Sequence, residues 1–135
     1  MSNPYEQPYG GAPSGLTQEE KTWALASHIG TLVTAWFAFG FLAPLLVMLL
    51  KSDSPFVRRH AVESLNFQIS LLIYSLAGTV IGIVIAILTV GIALLVIIPL
   101  VAILALVVLI LIIVATIRAA NGEDYRYPFC LRFIS

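Results

Sequence analysis

The dominant pattern in the sequence is a run of apolar positions from residue 64 to residue 117, which contains no Asp, Glu, Lys, Arg or His. A transmembrane helix needs about 20 consecutive apolar residues, so the run is long enough for two of them. The only turn-forming stretch inside it is 89–93, which contains Gly91. The pattern therefore predicts a hairpin of two membrane-spanning helices, at about 55–88 and 94–119.

A shorter apolar segment occupies residues 17–50. It opens with Thr17-Gln-Glu-Glu20, a capping-box pattern in which the first and last residues bond to each other's backbone amides. As one straight helix the segment would be about 50 Å long, against a hydrocarbon core of about 30 Å. Gly40 and Pro44 mark the predicted break. Two topologies follow: a single kinked span, which the length favours, or a hairpin that returns the N-terminus to its starting side.

The other boundaries follow from local composition. Residues 1–16 are rich in Pro, Gly and Tyr, so they are predicted to form a disordered tail. Ser54 and Pro55 are typical of an N-cap and a first helical residue, and they predict the start of the long hairpin. Asn121-Gly122 is predicted to end its second helix, because both residues accept the left-handed conformation. Residues 121–135 then form a C-terminal tail.

The composition indicates whether water or lipid surrounds the chain. Hydrophobic residues make up 60% of the chain and charged residues only 10%, whereas a soluble domain carries about a quarter charged residues. The bilayer must therefore surround most of the chain, and lipid is its first predicted partner. We predict an all-α, polytopic integral membrane bundle of three to four helices. The formal net charge is zero, which gives no reason to expect a nucleic-acid partner, and the single Cys130 excludes an intrachain disulfide.

The basic residues predict the orientation. They flank the uncharged run of 64–117 on both sides and are absent from its turn: Lys51, Arg58 and Arg59 precede the run, and Arg118, Arg126 and Arg132 follow it. Cytoplasmic loops carry the excess of Lys and Arg in membrane proteins. The loop at 51–63 and the C-terminus are therefore predicted to be cytoplasmic.

Two stripes divide the surface of the helix at 55–88. At 100° per residue, the polar stripe consists of Arg59, Glu63, Asn66, Ser70 and Tyr74, and we expect an ion pair between its first two members. Its polar groups need partners in an apolar surrounding. They could hold the helices together by hydrogen bonds, or they could line a shallow cytoplasmic cavity or a groove for a partner.

The opposite stripe is made of small residues and is a candidate helix-packing face. It consists of Ser75, Gly78, Gly82 and Ala86. Its GxxxG spacing lets two helix backbones approach closely in lipid, where van der Waals packing drives association. The partner could belong to the same chain or to a second copy.

The C-terminal tail alternates in character from 125 to 133: one face would carry Tyr125, Tyr127, Phe129, Leu131 and Phe133, and the other Arg126, Cys130 and Arg132. As an extended ribbon it would place its aromatic rings on one side and its arginines on the other. We expect it to lie at the cytoplasmic membrane interface, with arginines toward phosphates, or to fold back onto the turn at 55–63. The candidate interfacial residues are Tyr125, Arg126, Tyr127, Phe129 and Arg132.

Catalytic and metal-binding patterns are absent from the sequence. It contains no nucleophile elbow, phosphate-binding loop or HExxH helix, and its two histidines and one cysteine lie far apart. His28 shares a helix face with Ser27 and Thr31, where it could relay protons or fill a purely structural role. We therefore predict neither an enzyme nor a cofactor or metal site.

Two blocks of sequence carry a family resemblance. Residues 50–69 (LKSDSPFVRRHAVESLNFQI) and 121–128 (NGEDYRYP) resemble a widespread bacterial family of small membrane proteins of unknown function, related to the Tic-twenty component of chloroplast protein import. His28 and Pro44 also fit its pattern, whereas Arg58-Arg59 departs from it. The resemblance implies a bacterial inner-membrane protein of four helices with both ends on one side. It also implies a role in protein translocation or in another membrane complex.

The sequence thus favours a protein that acts through interactions, as a subunit or scaffold of a membrane complex. Its partner would be another protein or further copies of itself. The alternative is a homo-oligomeric channel or transporter, with a polar path lined by Asn66, Ser70, Tyr74 and His28.

Overall fold

The computed structural model describes residues 15–35, 40–51 and 53–135, and every regular element in these ranges is an α-helix. The helices are α1 (Gln18–Ala35), α2 (Leu42–Leu50), α3 (Pro55–Leu88) and α4 (Leu94–Ala120). The prediction of an all-α chain with three to four helices is confirmed. Most of the predicted disordered tail, at residues 1–14, lies outside the described residues.

The first apolar segment forms two helices rather than one continuous helix. α1 and α2 pack against each other so closely that a Cβ on Gly30 would lie 2.7 Å from the Cβ of Ala43. The kinked single span that the segment's length favoured is therefore wrong for the described residues. Pro44 lies in the first turn of α2, where its missing N–H costs no hydrogen bond, so the break falls before it.

Side chains cap the N-terminal ends of two helices, α1 and α3. The predicted capping box of α1 is confirmed: the amide of Thr17 donates to Oε2 of Glu20 over 2.8 Å, and the amide of Glu20 donates to Oγ1 of Thr17 over 3.1 Å. Ser54 is the N-cap of α3, with Pro55 as the first helical residue. Glu20 also accepts a hydrogen bond from the Ser54 hydroxyl over 2.6 Å, so the two helix starts are joined.

The end of α4 is a Schellman turn. The amide of Glu123 donates to the carbonyl of Arg118 over 2.9 Å, and Gly122 takes the left-handed conformation with φ +77°. The helix ends at the predicted Asn121-Gly122 pair, with Asn121 right-handed at φ −81° and only Gly122 in the left-handed conformation. The turn directs residues 121–135 back along α3; we call these residues the C-terminal segment.

Burial divides the molecule into two parts. All the buried residues among those described lie in what we call the base: α1, α2, residues 55–70 of α3, residues 112–120 of α4 and the C-terminal segment. We call residues 71–88 of α3 and 94–111 of α4 the arms. No described residue of the arms is buried, and most of their large apolar side chains are exposed. The base is thus the folded core, and the arms present apolar surface outward.

The arms have the length of a bilayer. Each has 18 residues, or about 27 Å at 1.5 Å per residue, close to the roughly 30 Å of a hydrocarbon core. Among the described residues, only α3 and α4 are long and apolar enough to cross a membrane. They contact each other little, because α1 packs against both of them within the base. The arm surfaces are therefore open to lipid.

Candidate functional site

The polar stripe of α3 binds the C-terminal segment. All five predicted residues of the stripe contact it: Arg59, Glu63, Asn66, Ser70 and Tyr74. The segment runs along α3 from Asp124 toward Tyr74, turns at Pro128–Phe129, and returns past Asn66. The second of the two sequence-based alternatives for the tail, folding back onto α3, therefore describes its position better than a ribbon lying on lipid.

Arg59 holds the start of the segment through a two-pronged ion pair. Its Nε and Nη2 donate to the two carboxylate oxygens of Asp124 over 3.0 and 3.2 Å. Both side chains are buried, with 5% and 2% of their surface exposed. The predicted pair between Arg59 and Glu63 is not formed, because each residue bonds to the C-terminal segment instead. Nη1 of Arg59 is the one buried side-chain N or O atom of the described residues that lacks a partner.

Glu63 binds the middle of the segment. One carboxylate oxygen accepts the backbone amide of Tyr127 over 2.6 Å and Nη2 of Arg132 over 2.9 Å. The Glu63 side chain is 3% exposed, so its charge is compensated by donors rather than by water. Tyr127 lies before the turn at Pro128–Phe129 and Arg132 lies after it. Glu63 therefore joins the two extended parts of the segment, which we call the outward strand (before the turn) and the returning strand (after it).

Asn66 and Ser70 bond to peptide groups of the returning strand. Oδ1 of Asn66 accepts the amides of Phe133 and Ile134 over 3.0 and 2.9 Å, and its Nδ2 donates to the Ile134 carbonyl over 2.8 Å. The amide of Leu131 donates to Oγ of Ser70 over 2.7 Å. These side chains satisfy half-buried backbone groups that have no β-strand partner.

The turn at Pro128–Phe129 breaks the predicted alternation of the segment. Phe129 adopts φ +55° and is 90% exposed, while the hydroxyl of Tyr74 donates to its carbonyl over 2.8 Å. After this left-handed residue the phase changes: Tyr127 and Cys130 are both buried, although alternation assigned them to opposite faces. The prediction that Tyr127 lies at the interface is therefore wrong. Its ring stacks on Phe67 of α3, with centroids 3.8 Å apart.

A chain of hydrogen bonds crosses the middle of the base. The hydroxyl of Tyr127 lies 2.9 Å from Nδ1 of His28, and Nε2 of His28 lies 2.8 Å from Nδ1 of His60. The chain ends where Nε2 of His60 meets the backbone carbonyl of Glu123 over 2.9 Å. It links the C-terminal segment, α1 and α3, and both histidines are buried, with 0% and 1% exposed.

The Glu123 carbonyl at one end of this chain determines which atom of each pair carries the hydrogen. A carbonyl only accepts, so Nε2 of His60 carries hydrogen and its Nδ1, in the neutral ring, accepts from Nε2–H of His28. Nδ1 of His28 then accepts the hydroxyl of Tyr127. Burial, with the neighbouring His60 ring, holds the pKa of His28 well below its usual value, and burial raises the pKa of Tyr127. The chain is therefore neutral.

Sequence reasoning identified His28 but not its partners. His60 follows Arg59 directly, so it points about 100° away from the polar stripe and toward α1. Asp124 and Tyr127 lie in a segment whose position no local pattern determines. The available signal was His28, whose ring needs polar partners from elsewhere in the chain, whereas the hydroxyls of Ser27 and Thr31 bond to carbonyls within α1.

The small-residue stripe has no packing partner among the residues that the structure describes. A Cβ built on Gly78 or on Gly82 meets no atom within 4 Å. Ser75 donates to the carbonyl of Leu71 in its own helix, and Ala86 is only half-buried near the turn. None of the described helices of the monomer, therefore, packs on this face.

A polar cleft of about 310 Å³ lies between the start of α1 and the loop before α3. Trp23 and Asp53 are among its lining residues, and Glu19 and Lys51 form an ion pair of 2.7 Å at its side. This bond lowers the pKa of the exposed Glu19 carboxyl. In the described ranges, no group of three or more His, Cys, Asp or Glu residues lies together as a metal site would require.

Comparison with protein-family models gives a match over most of the chain. A family model described as the magnetosome magnetite crystal formation protein family, MamF_MmsF, matches residues 19–134. No match is found among the curated proteins or among the solved structures. The matched range covers all four helices and nearly all of the C-terminal segment, and it agrees with the prediction of a small membrane protein family. The chain belongs to the magnetosome magnetite crystal formation protein family.

Proposed function

We propose that this protein acts by association within the membrane, as a scaffold or subunit of a membrane complex, and not by catalysis. The observation that carries the proposal is the small-residue stripe of the α3 arm, whose glycines have no atom of the described residues packed against them. Close packing of small residues is a main source of helix association in lipid. A second copy or another membrane helix would fill this face.

The base supports the same proposal, because its polar groups already serve the fold. The polar stripe bonds to the C-terminal segment, and the two histidines bond to each other, to Tyr127 and to a backbone carbonyl. A general base or nucleophile needs to reach a substrate, and these buried groups do not. The base therefore resembles a rigid support for the arms more than an active site.

The rival proposal, a channel or transporter, loses its main argument. It requires Asn66, Ser70 and Tyr74 to line a polar path. In the described structure these three groups bond to the C-terminal segment, and His28 is enclosed between α3 and that segment. The family match likewise gives no support to the protein-translocation role that the Tic-twenty resemblance implies.

For topology we propose two crossings of a bacterial inner membrane, by α3 and α4, with the base on the cytoplasmic side. The positive-inside rule supports this, since Lys51, Arg58 and Arg118 lie at the base and the turn at 89–93 has no basic residue. α2 has only nine residues, about 14 Å, which is too short to cross. α1 and α2 would then form a hairpin on the cytoplasmic side.

The family description adds a process, the formation of magnetite crystals in magnetosomes. We extend the proposal to that process: the protein contributes to crystal formation by associating, within the membrane, with further copies of itself or with another membrane protein. Expression of the chain in a magnetite-forming bacterium that lacks its own family members tests this. Restored crystal size supports the extension, and unchanged crystals despite correct membrane insertion contradict it.

Association itself is tested by Gly82→Leu, which places a large side chain in the middle of the small-residue stripe. The matched control is Ala105→Leu, a small-to-large change on the exposed α4 arm. We expect Gly82→Leu to weaken chemical cross-linking between copies, or co-purification of a partner, at least tenfold in lipid nanodiscs. Equal cross-linking and equal partner recovery in both variants would contradict the proposal.

Topology needs a different thiol from the native one. Cys130 is buried and burial raises its pKa, so failure to label it would say nothing about the side of the membrane. In a Cys130→Ala background, Asp53→Cys and Val90→Cys place thiols at the base and at the turn. A membrane-impermeant maleimide on intact cells should label only the turn, and labelling of the base thiol would contradict the orientation.

A further inference from the structure

The tip of the C-terminal segment is held at a defined height on α3. The Tyr74 hydroxyl donates to the carbonyl of Phe129 over 2.8 Å, and Ser70 bonds to Leu131 just below. Side chains of a helix lean toward its N-terminus, so the tip lies at about the level of residues 70–74. The rest of the segment lies nearer the start of α3.

This height coincides with the edge of the base. On α3 the last buried residue is Ser70, and on α4 the first is Ile112. From these residues to the turn the two arms have equal lengths of about 27 Å. If the arms fill the hydrocarbon core, its cytoplasmic boundary falls at the level of the tip.

The tip presents an apolar surface to that boundary. Phe129 is 90% exposed, and Phe133 and Leu131 on the returning strand are 61% and 38% exposed. The left-handed backbone at Phe129 turns its ring away from the base, while Tyr127 before it and Cys130 after it point inward. Nothing within the described chain covers the Phe129 ring.

The positive charges beside the tip indicate what the tip binds. Arg126 and Arg132 lie on either side of the tip, and Arg132 keeps 37% of its side chain exposed while bonded to Glu63. Exposed aromatic rings beside arginines, at the depth where an apolar helix leaves water, match the anionic interface of a bilayer, where aromatic side chains and phosphates meet. A soluble protein partner would have to dock in the headgroup layer itself.

We propose that the Pro128–Phe129 tip is a lipid-binding anchor, which inserts the Phe129 ring into the cytoplasmic interface of an anionic bilayer. The anchor fixes the base against the membrane surface, and the bonds of Tyr74 and Ser70 set its depth. The inference rests on the proposed two-crossing topology but not on association. It also explains why the Phe129 ring is exposed although the carbonyl of the same residue is bonded to Tyr74.

The test measures depth directly. In the Cys130→Ala background, Phe129→Cys, Asp53→Cys and Val80→Cys are labelled with a nitroxide and placed in nanodiscs of phosphatidylethanolamine and phosphatidylglycerol. Collision with oxygen, which dissolves in lipid, is compared with collision with a water-soluble nickel complex. We expect the oxygen-to-nickel ratio at Phe129 to be several-fold higher than at Asp53, and that at Val80 to be higher still.

The three labels separate the possible failures. If the label at Val80 has the high oxygen-to-nickel ratio of a site in lipid but the label at Phe129 has the same ratio as Asp53, the anchor is overturned while the topology stands. If Val80 itself reads as water, the topology fails and the anchor fails with it. A Phe129 label that becomes protected only when a soluble protein is added also overturns the anchor.

Discussion

The Tyr127 hydroxyl and Nδ1 of His28 lie 2.9 Å apart, although 99 residues separate them in the sequence. Tyr127 also stacks on Phe67 of α3, and its amide bonds to Glu63. One residue of the C-terminal segment therefore contacts both α1 and α3. The segment is part of the folded core of the base, and loss of its contacts should destabilise the base as a whole.

Tyr127→Phe tests the start of the hydrogen-bond chain. The change keeps the ring and its stacking but removes the donor to His28, which leaves a buried acceptor without a partner. We expect a loss of about 1–3 kcal/mol in the free energy of unfolding, measured in detergent by the change in tryptophan fluorescence. Tyr125→Phe is the matched control at a neighbouring, half-buried ring, and it should change stability by less than about 0.5 kcal/mol.

The hydrogen-bond chain also predicts a pH dependence. The pKa of His28 is held well below 6.5 by burial and by His60, and the titratable groups that face it are His60 and Tyr127. Between its native pKa and 6.5, the unfolded chain binds a proton at this site and the folded chain does not. The contribution to stability is therefore complete above pH 6.5 and is lost as the pH falls below it.

Below pH 6.5 the His28 contribution to the slope should approach about 1.4 kcal/mol per pH unit, and His60, whose pKa burial lowers to about 4, adds a second contribution of the same sign. Unfolding measured at pH 7.5, 6.5 and 5.5 checks it, in a range where ordinary carboxylates stay ionised. His28→Gln is the control, because it cannot take up the proton. Its slope should be smaller than that of the parent, and identical slopes in the two proteins would exclude the assignment to His28.

Asp124→Asn tests the buried ion pair. The variant leaves the charge of Arg59 buried and uncompensated, which costs about 3–5 kcal/mol when one partner of such a pair is removed. We expect the C-terminal segment to detach, with trypsin cleaving after Arg126 much faster than in the parent. Glu123→Gln is the adjacent control: it breaks the exposed pair with Arg118, which is worth at most about 1 kcal/mol. Equal cleavage rates in both variants would contradict the role of Arg59.

Hydrophobic patterning predicted the hairpin well, because membrane helices are defined by length and apolarity, both of which are local properties. It also found the polar stripe of α3, since polar groups on an otherwise apolar face are conspicuous. What it could not find was the partner of each group. Arg59 and Glu63 are spaced to pair with each other, and only the path of the C-terminal segment shows that each bonds to a residue more than 60 positions away.

A left-handed residue and a close helix contact explain the remaining differences between the predictions and the structure. Alternation in the tail assumed an extended chain, but Phe129 reverses it, and no pattern marks an aromatic residue for φ +55°. The break in the first apolar segment was placed near Gly40 and Pro44, and α2 begins between them at Leu42. Its consequence, two packed helices, depends on the close approach of Gly30 and Ala43, which composition alone does not reveal.

The last prediction concerns the turn between the arms. α3 ends in a Schellman turn in which the Gly91 amide donates to the Ala86 carbonyl over 2.7 Å, and the left-handed position before Gly91 is Val90, with φ +52°. A β-branched residue is strained there, at a cost of about 1–2 kcal/mol. Val90→Gly should therefore stabilise the hairpin by about 1 kcal/mol after the entropy cost of glycine is subtracted.

The equivalent position at the end of α4 already has glycine and supplies the reciprocal control. A Cβ on Gly122 would be strained at φ +77° and would lie 3.0 Å from Cε of Lys21, so Gly122→Ala should lose more than about 1 kcal/mol. Thermal unfolding of both variants in the same detergent measures the two effects. Because Val90 is exposed and packs on nothing buried, strain is the only large term that its replacement changes. A Val90→Gly variant less stable than the parent would therefore mean that the turn is not left-handed at this residue.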